Sequence, residues 1–304
     1  MAITSNPLFR MLKKTIDSTS SESLEKSQVC IGKGKIVSKL EPMDDGYVDD
    51  LEIGGTTLFA EKNELEPMAT DDIRLGGTKR YLPRTMAKKV SISEEALEDN
   101  KYKDALKISQ RLVASAYKIQ DIDIASIVLN CTANAGDYDN VVLASTAHTI
   151  PGSSATYSNY LNAGLGMSPS PQALMQMRNM ATLMLGPNGM VDSLELEALT
   201  FPDIQTDVWK VILGSANRPG SDWNDINTVK DYGLKQIPVK WYDAINTSIW
   251  AGLTSAKEGI KAFQKRKITS NTWVDNDATV AHHGCSYRMA MGWSNPRHFI
   301  LGDI

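Results

Sequence analysis

The chain has 304 residues, 42% of them hydrophobic and 22% charged, enough to bury one large core or two smaller ones. A formal net charge of -4 excludes a protein built mainly to grip nucleic acid, which needs a concentrated basic face. There is no apolar run of about eighteen residues and Met1 to Arg10 is too polar for a secretory signal, so neither a membrane span nor membrane contact is expected.

Residues 1–28 are polar and rich in serine, with a short amphipathic piece around Leu8, Phe9 and Leu12. They read as an arm that orders only against something else. Turn residues then punctuate the chain to Ile92: Gly32, Gly34, Asp45-Gly46, Gly54-Gly55, Gly76-Gly77 and Pro83. The segments Val48 to Ile53 and Thr56 to Ala60, joined at Gly54-Gly55, predict a hairpin. Such an excursion has little core of its own, so it is expected to lie on a neighbouring molecule.

This region divides by charge. Residues 41–72 carry eleven acids and one base, Lys62, whereas residues 73–92 carry six bases and no acid. Opposed blocks suit docking between identical copies, because complementary potentials set register and suppress wrong pairings. The candidate contact residues are Asp49, Asp50, Glu52, Arg74, Lys79, Arg80 and Arg84. A solvated hairpin without a partner is the plainer alternative.

Ser91 or Ser93 with Glu94 and Glu95 predicts a helix entry. Apolar residues from Lys101 to Cys131 form two adjacent stripes, Leu106, Val113, Tyr117, Ile124 and Val128 beside Ile108, Leu112, Ala116 and Ile119. A helix of that length reaches about 45 Å, at about 1.5 Å per residue, and would be the molecule's spine. Residues 134–167 read as loop with brief strands. Ser170, Pro171 and Gly186-Pro187 then delimit a helix whose Leu174, Met177, Ala181 and Met184 share one side. The surrounding methionines (Met167, Met175, Met180, Met190) read as adaptable packing. A strand at Leu194, Leu196 and Ala198 follows, then a helix from Asp203 to Leu213, a loop from Gly214 to Asn227, and a strand from Leu234 to Trp241. The strongest strand signal comes late, where Cys285, Tyr287, Met289, Met291 and Trp293 alternate with smaller or polar residues.

Signs of catalytic chemistry are missing from the sequence. Cys30, Cys131 and Cys285 are far apart and odd in number, so they read as buried or free thiols. None of His148, His282, His283 and His298 sits in a metal-ligand pattern, and His282 and His283 point to opposite faces of a strand. The Gly214 to Gly220 loop lacks a phosphate-reaching lysine, and Gly32-Lys33-Gly34-Lys35 has the wrong spacing. No catalytic, metal-binding or cofactor-binding residue is assigned, and no cofactor is expected.

The order of parts resembles the major capsid protein of tailed bacteriophages, the Hong Kong 97 type. The likeness is carried by Gly77-Thr78-Lys79-Arg80-Tyr81 through Ile92-Ser93-Glu94-Glu95-Ala96-Leu97 into the spine, and by Leu143-Ala144-Ser145-Thr146-Ala147-His148 after it. It continues in Ser170-Pro171-Gln172-Ala173-Leu174, in Val208 to Asn227, and in Trp293-Ser294-Asn295-Pro296-Arg297. The resemblance implies an α+β fold with five parts. These are an N-terminal arm (1–40), an extended E-loop hairpin (41–92), a peripheral domain with the long spine helix (93–135), an axial domain (136–264) and a return to the peripheral domain (265–304).

It further implies a non-enzymatic, self-assembling subunit of an icosahedral virion shell, built as hexamers and pentamers in the host cytoplasm. Portal, scaffolding and decoration proteins would be partners. Double-stranded DNA would be enclosed with only weak nonspecific contact, chiefly from the arm, where Arg10, Lys13, Lys14 and Lys26 outnumber Asp17, Glu22 and Glu25. The Lys to Asn crosslinks of some members are not carried over, because no position here can be matched. Two alternatives remain: an encapsulin-type compartment, similar in fold but enclosing enzymes, and a hydrolase using His148 beside Ser145 and Thr146.

Overall fold

The computed structural model describes residues 27–56, 58–59, 61–65, 67–68, 70–71, 74–93, 102–133, 139–220, 225–275 and 280–303. The fold is mixed α+β, organised by two four-stranded sheets. In the first sheet the order is β1 (Glu41–Pro42), β10 (Ile260–Asp275), β11 (Val280–Trp293), β4 (Arg84–Ser93). The second runs β12 (Phe299–Asp303), β9 (Trp250–Thr254), β7 (Leu196–Pro202), β8 (Lys235–Val239).

Period-two patterning places β11 at the centre of the first sheet. Its His283, Cys285, Tyr287 and Met289 are buried while the intervening residues through Arg288 are only half-buried. That buried face meets the long helix α1 (Tyr102–Leu129), whose Ile124 and Val128 share a core with Tyr287, Met289 and Trp293. One turn and more towards the helix N-terminus, Leu112, Val113 and Tyr117 close on Cys285. Ala116 is half-buried and Ile119 is exposed, so the second stripe is only partly covered; the side chains of Leu106 and Ile108 lie outside the described residues. Adjacent strands β10 and β4 pair antiparallel with β11 along most of their lengths.

The second sheet is buried more evenly. All five residues of β9 and the last five of β7 are buried, as expected for central strands covered on both faces. Helix α2 (Pro171–Thr182) covers part of it through Leu174, Met177 and Ala181, and starts where Ser170 Oγ accepts from the Ala173 N–H at 3.1 Å. Helix α3 (Thr206–Gly214), entered through a 3₁₀ turn at Asp203–Gln205, adds Trp209, which packs at 5.0 Å from Trp250. Met167, Met175 and Met180 are half-buried around this core. The two sheets are joined by shared packing, since Ile237, Val239, Phe299 and Leu301 lie in the core that contains Ile124 and Met289.

Several expectations change. Val48–Ile53 is a strand (β2), but Thr56 to Ala60 is not its partner: the described residues there form no strand. The partner is β3 (Leu75–Tyr81), in antiparallel register with Val48 opposite Tyr81. The turn therefore spans residues 54–74, closed where Gly54 N–H donates to Arg74 O at 2.7 Å. A Cβ on Gly54 would come within 2.8 Å of the Arg74 backbone, so close approach requires glycine here. Ser91 and Ser93 lie in strand β4 because the β11 ladder claims them, and Glu94, Glu95, Ala96 and Leu97 fall outside the described residues.

Residues 29–37 are not a free arm. Asp121 of α1 accepts from the Val29 and Cys30 N–H groups at 2.8 and 3.1 Å, and Cys30, Ile31, Ile36 and Val37 enter the main core. The amphipathic Leu8 to Leu12 piece lies outside the described residues. The closing segment divides: β11 belongs to the first sheet but β12 pairs with β9 in the second. All three cysteines are free and buried, and burial pushes the Cys131 thiol up to about 12.

Met289 and Trp293 bind sheet to helix in one core. Replacing either by Ala is expected to cost about 2–5 kcal/mol in denaturant unfolding. A loss below about 0.5 kcal/mol, the surface range, would contradict this packing.

Candidate assembly interface

The hairpin β2–β3 reverses the usual polarity of a strand pair. In β2, Val48, Asp50 and Glu52 face the body of the molecule, while Asp49, Leu51 and Ile53 face out. Apolar side chains are thus exposed and carboxylates are covered, which is tolerable only where each buried charge has a partner.

Both inward acids have one. Lys261 Nζ donates to Asp50 Oδ2 at 2.6 Å, with both side chains about 15% exposed. The same oxygen accepts from Ser294 Oγ at 2.6 Å, and Ser294 in turn is hydrogen-bonded to the Tyr81 hydroxyl. Deeper still, Arg297 Nη1 lies 3.3 Å from Glu52 Oε1. Its Nε donates to Leu185 O at 2.8 Å and its guanidinium stacks 4.5 Å from the Tyr157 ring centroid. Tyr81 packs on Phe263, and Lys79 Nζ sits 5.7 Å from the Trp293 ring. Gly76 lets this root close: a Cβ there would lie 2.9 Å from both the Glu52 Cβ and the Pro151 ring.

Burial raises the Glu52 carboxyl above its ordinary value, and the Arg297 guanidinium only partly offsets this. Asp123, which meets Arg84 at 3.6 Å, is likewise raised by burial. The exposed Asp49 behaves oppositely: its bidentate bond to Arg80, with both contacts at 2.6 Å, holds it below the usual carboxylate range. Arg80 also covers the Tyr47 ring at 4.2 Å.

The structure therefore brings all seven candidate contact residues into contacts within one chain. Asp49 joins Arg80, Asp50 joins Lys261, Glu52 joins Arg297, Arg84 joins Asp123, and Lys79 faces Trp293. Arg74 reaches Gly152 O at the long distance of 3.5 Å. Asp49 and Arg80, one from each charge block, pair across the hairpin near its rooted end. Sequence reasoning missed Lys261 and Arg297, which lie more than two hundred residues away and outside either block. It also missed the apolar residues beyond the root: Leu58, Phe59, Leu65, Met68 and Leu75 are all exposed, Leu65 at 97%. A patch of this kind on a lone molecule marks a contact surface.

His148 has a structural place. It is fully buried, with Nδ1 donating to Asp139 Oδ2 at 2.7 Å and Nε2 3.1 Å from Asn159 Oδ1. Ser145 Oγ instead accepts from the Ala147 N–H. With both ring nitrogens held by Asp139 and Asn159, the nucleophile-and-base arrangement of a hydrolase is not formed. Burial opposes ionisation of Asp139, but the His148 bond and two backbone N–H groups outweigh it and leave the carboxyl below its ordinary value. Asn159 extends the network to Pro296 O at 3.0 Å, beside Arg297. Among the described residues no helix is long and apolar enough to cross a membrane.

No protein-family model matches the chain, and no curated protein matches it. Solved structures do match. A chain from Mycobacterium phage Patience is 11% identical with a TM-score of 0.57, covering 98% of this chain and 87% of that one. The capsid of an empty GTA particle gives 10% identity and a TM-score of 0.52, covering 92% and 89%. The capsid of Myoviridae phage XM1 gives 14% identity and a TM-score of 0.50, covering 86% and 89%. At such identities the likeness is one of fold.

Glu52 offers a test of the root. An acid held above its unfolded value of 4.5 takes up protons on folding, so its contribution to stability grows as pH falls towards that value and is lost as pH rises. Between about pH 7 and about pH 5 the unfolding free energy of wild type should rise relative to Glu52→Gln. The opposite trend would mean that Arg297 holds the carboxylate more strongly than burial opposes it.

Proposed function

We propose that this chain is the shell-forming subunit of a tailed-phage virion, self-assembling as hexamers and pentamers around double-stranded DNA. The observation that carries the reading is the inverted hairpin. A root locked by buried ion pairs holds an apolar, acidic loop away from its own chain, an arrangement with a use only if another copy covers it. The capsid structures that share this fold support the same reading.

In this assignment β2, β3 and the intervening turn are the E-loop. Helix α1 is the spine of a peripheral domain with the first sheet, and the second sheet with α2 and α3 is the axial domain. Portal, scaffolding and decoration proteins would complete the particle, with assembly in the host cytoplasm. DNA would be held weakly, consistent with a net charge of -4.

The purified chain should form closed particles in negative-stain images; monodisperse small species under all assembly conditions would refute the proposal. Exchanging the charges of Asp49 and Arg80 (Asp49→Arg with Arg80→Asp) preserves their pairing within the chain but inverts the outer face. If that face docks on a neighbour, the exchange should reduce particle yield at low salt without altering the circular dichroism of the subunit. Wild-type yield would confine these two residues to an intrachain role.

A further inference from the structure

Arg80, Arg84, Lys261 and Arg297 each meet a carboxylate. The lysines around Trp241 do not. Lys118 Nζ of α1 lies 5.4 Å from the Trp241 ring centroid and Lys240 Nζ lies 5.2 Å from the same ring. Among the described residues no other ring carries two cations. Both lysines are exposed, and neither makes an ion pair with a described residue. A ring face attracts an ammonium through its quadrupole and leaves the charge uncancelled. Trp241 thus holds two like charges near each other where a carboxylate would have neutralised them.

Further bases reach the same place. Lys107, Arg111 and Lys118 are exposed on α1 and, at about 100° per residue, fall within about 40° of one another around its axis. Lys35 comes from a turn closed where Gly32 N–H donates to Val37 O at 2.9 Å, and its Nζ donates to Gln28 O. Burial raises the Asp121 carboxyl above its ordinary value, while Lys35 and Lys240 both act in the opposite sense, which puts the two near one carboxyl. That carboxyl is committed elsewhere, because each of its oxygens accepts from a backbone N–H, of Val29 or of Cys30. The cations come from three distant stretches of sequence, so no run of charge announces the cluster.

Converging cations without matching carboxylates are suited to an anion. Lys107 to Lys118 covers roughly 16 Å of open helix face at about 1.5 Å per residue. A line of separate point charges fits the backbone of a polyanion better than one small phosphate, which calls for an enclosing cradle. We infer that Arg111, Lys118 and Lys240, flanked by Lys35 and Lys107 and spaced by Trp241, form a phosphate-binding surface for duplex DNA. The inference rests on the shell-subunit reading, which supplies the DNA, and gives the weak contact a place on the folded body. Such contacts position a duplex without reading its sequence, and with few phosphates neutralised the affinity stays low.

Filter binding of the full-length subunit to duplex DNA across a salt series measures how many phosphates are neutralised. Arg111→Gln with Lys118→Gln and Lys240→Gln should flatten the slope of log affinity against log salt by about two to three, since each contact contributes about 0.9. Lys118→Arg with Lys240→Arg should keep the wild-type slope, because charge and ring contact both persist. Lys210→Gln with Lys230→Gln, exposed bases on α3 and on the 3₁₀ turn Thr228–Tyr232, should keep it as well. An unchanged slope in the triple variant, or an equal loss in the Lys210 and Lys230 pair, would overturn the surface. Lysine acetylation read by mass spectrometry gives a second measure: Lys118 and Lys240 should react less in DNA-filled particles than in empty ones. Equal reactivity in the two, including protection in both by a neighbouring subunit, would also overturn it. Whether wild type forms particles at all decides the shell reading separately, and the salt slope decides the surface either way.

Discussion

The inward orientation of Asp50 and Glu52 governs what the rest of the molecule presents. Strand geometry ties alternate residues to opposite faces, so committing these two carboxylates to the body commits Leu51 and Ile53 to the outside. A buried pair contributes little net stability, because desolvation consumes most of its Coulombic gain, yet removing one partner costs about 3–5 kcal/mol. The pairs with Lys261 and Arg297 therefore act as a register lock: a one-residue slip of β2 would bury apolar residues but strand both cations. The hairpin is held to a single arrangement at the expense of exposed apolar surface.

The partners of that lock come from the end of the chain. Lys261 is the second residue of β10, and Ser294 and Arg297 follow the last residue of β11, so the hairpin root is docked where the first sheet passes into the second. Helix α1 stiffens this junction by packing Ile124 and Val128 against Met289, Trp293, Phe299 and Leu301 together. The buried set of Asp139, His148 and Asn159 fastens the 139–159 loops to the same place through Pro296. What could be mistaken for catalytic machinery is thus scaffolding for a protruding element.

Elements whose sequence pattern and tertiary role agree were legible. Strand β11, the α2 boundaries at Ser170 and Pro171, and the spine helix each follow from periodicity or capping, because a single buried face decides them. The hairpin partner was misjudged because Gly54-Gly55 looks like a two-residue turn, whereas Gly54 serves a close approach to Arg74 and the chain returns only at Leu75. The inward acids were illegible for a related reason: Val48 to Ile53 contains an alternation, but only the distant Lys261 and Arg297 determine which half of it is buried. The Arg80 pairing shows the limit of reading charge blocks as contact surfaces, since opposite blocks on adjacent strands neutralise each other first.

In the proposed shell the hairpin root is fixed within the subunit, and the exposed loop is the part that would gain its contacts between subunits. Amide hydrogen exchange on the isolated chain and on assembled particles distinguishes the two directly. The β2 and β3 amides from Val48 to Ile53 and Leu75 to Tyr81 should be protected in both states, and those of residues 58–65 only after assembly. Equal exchange of residues 58–65 in the two states, or an unprotected root in the isolated subunit, would contradict it.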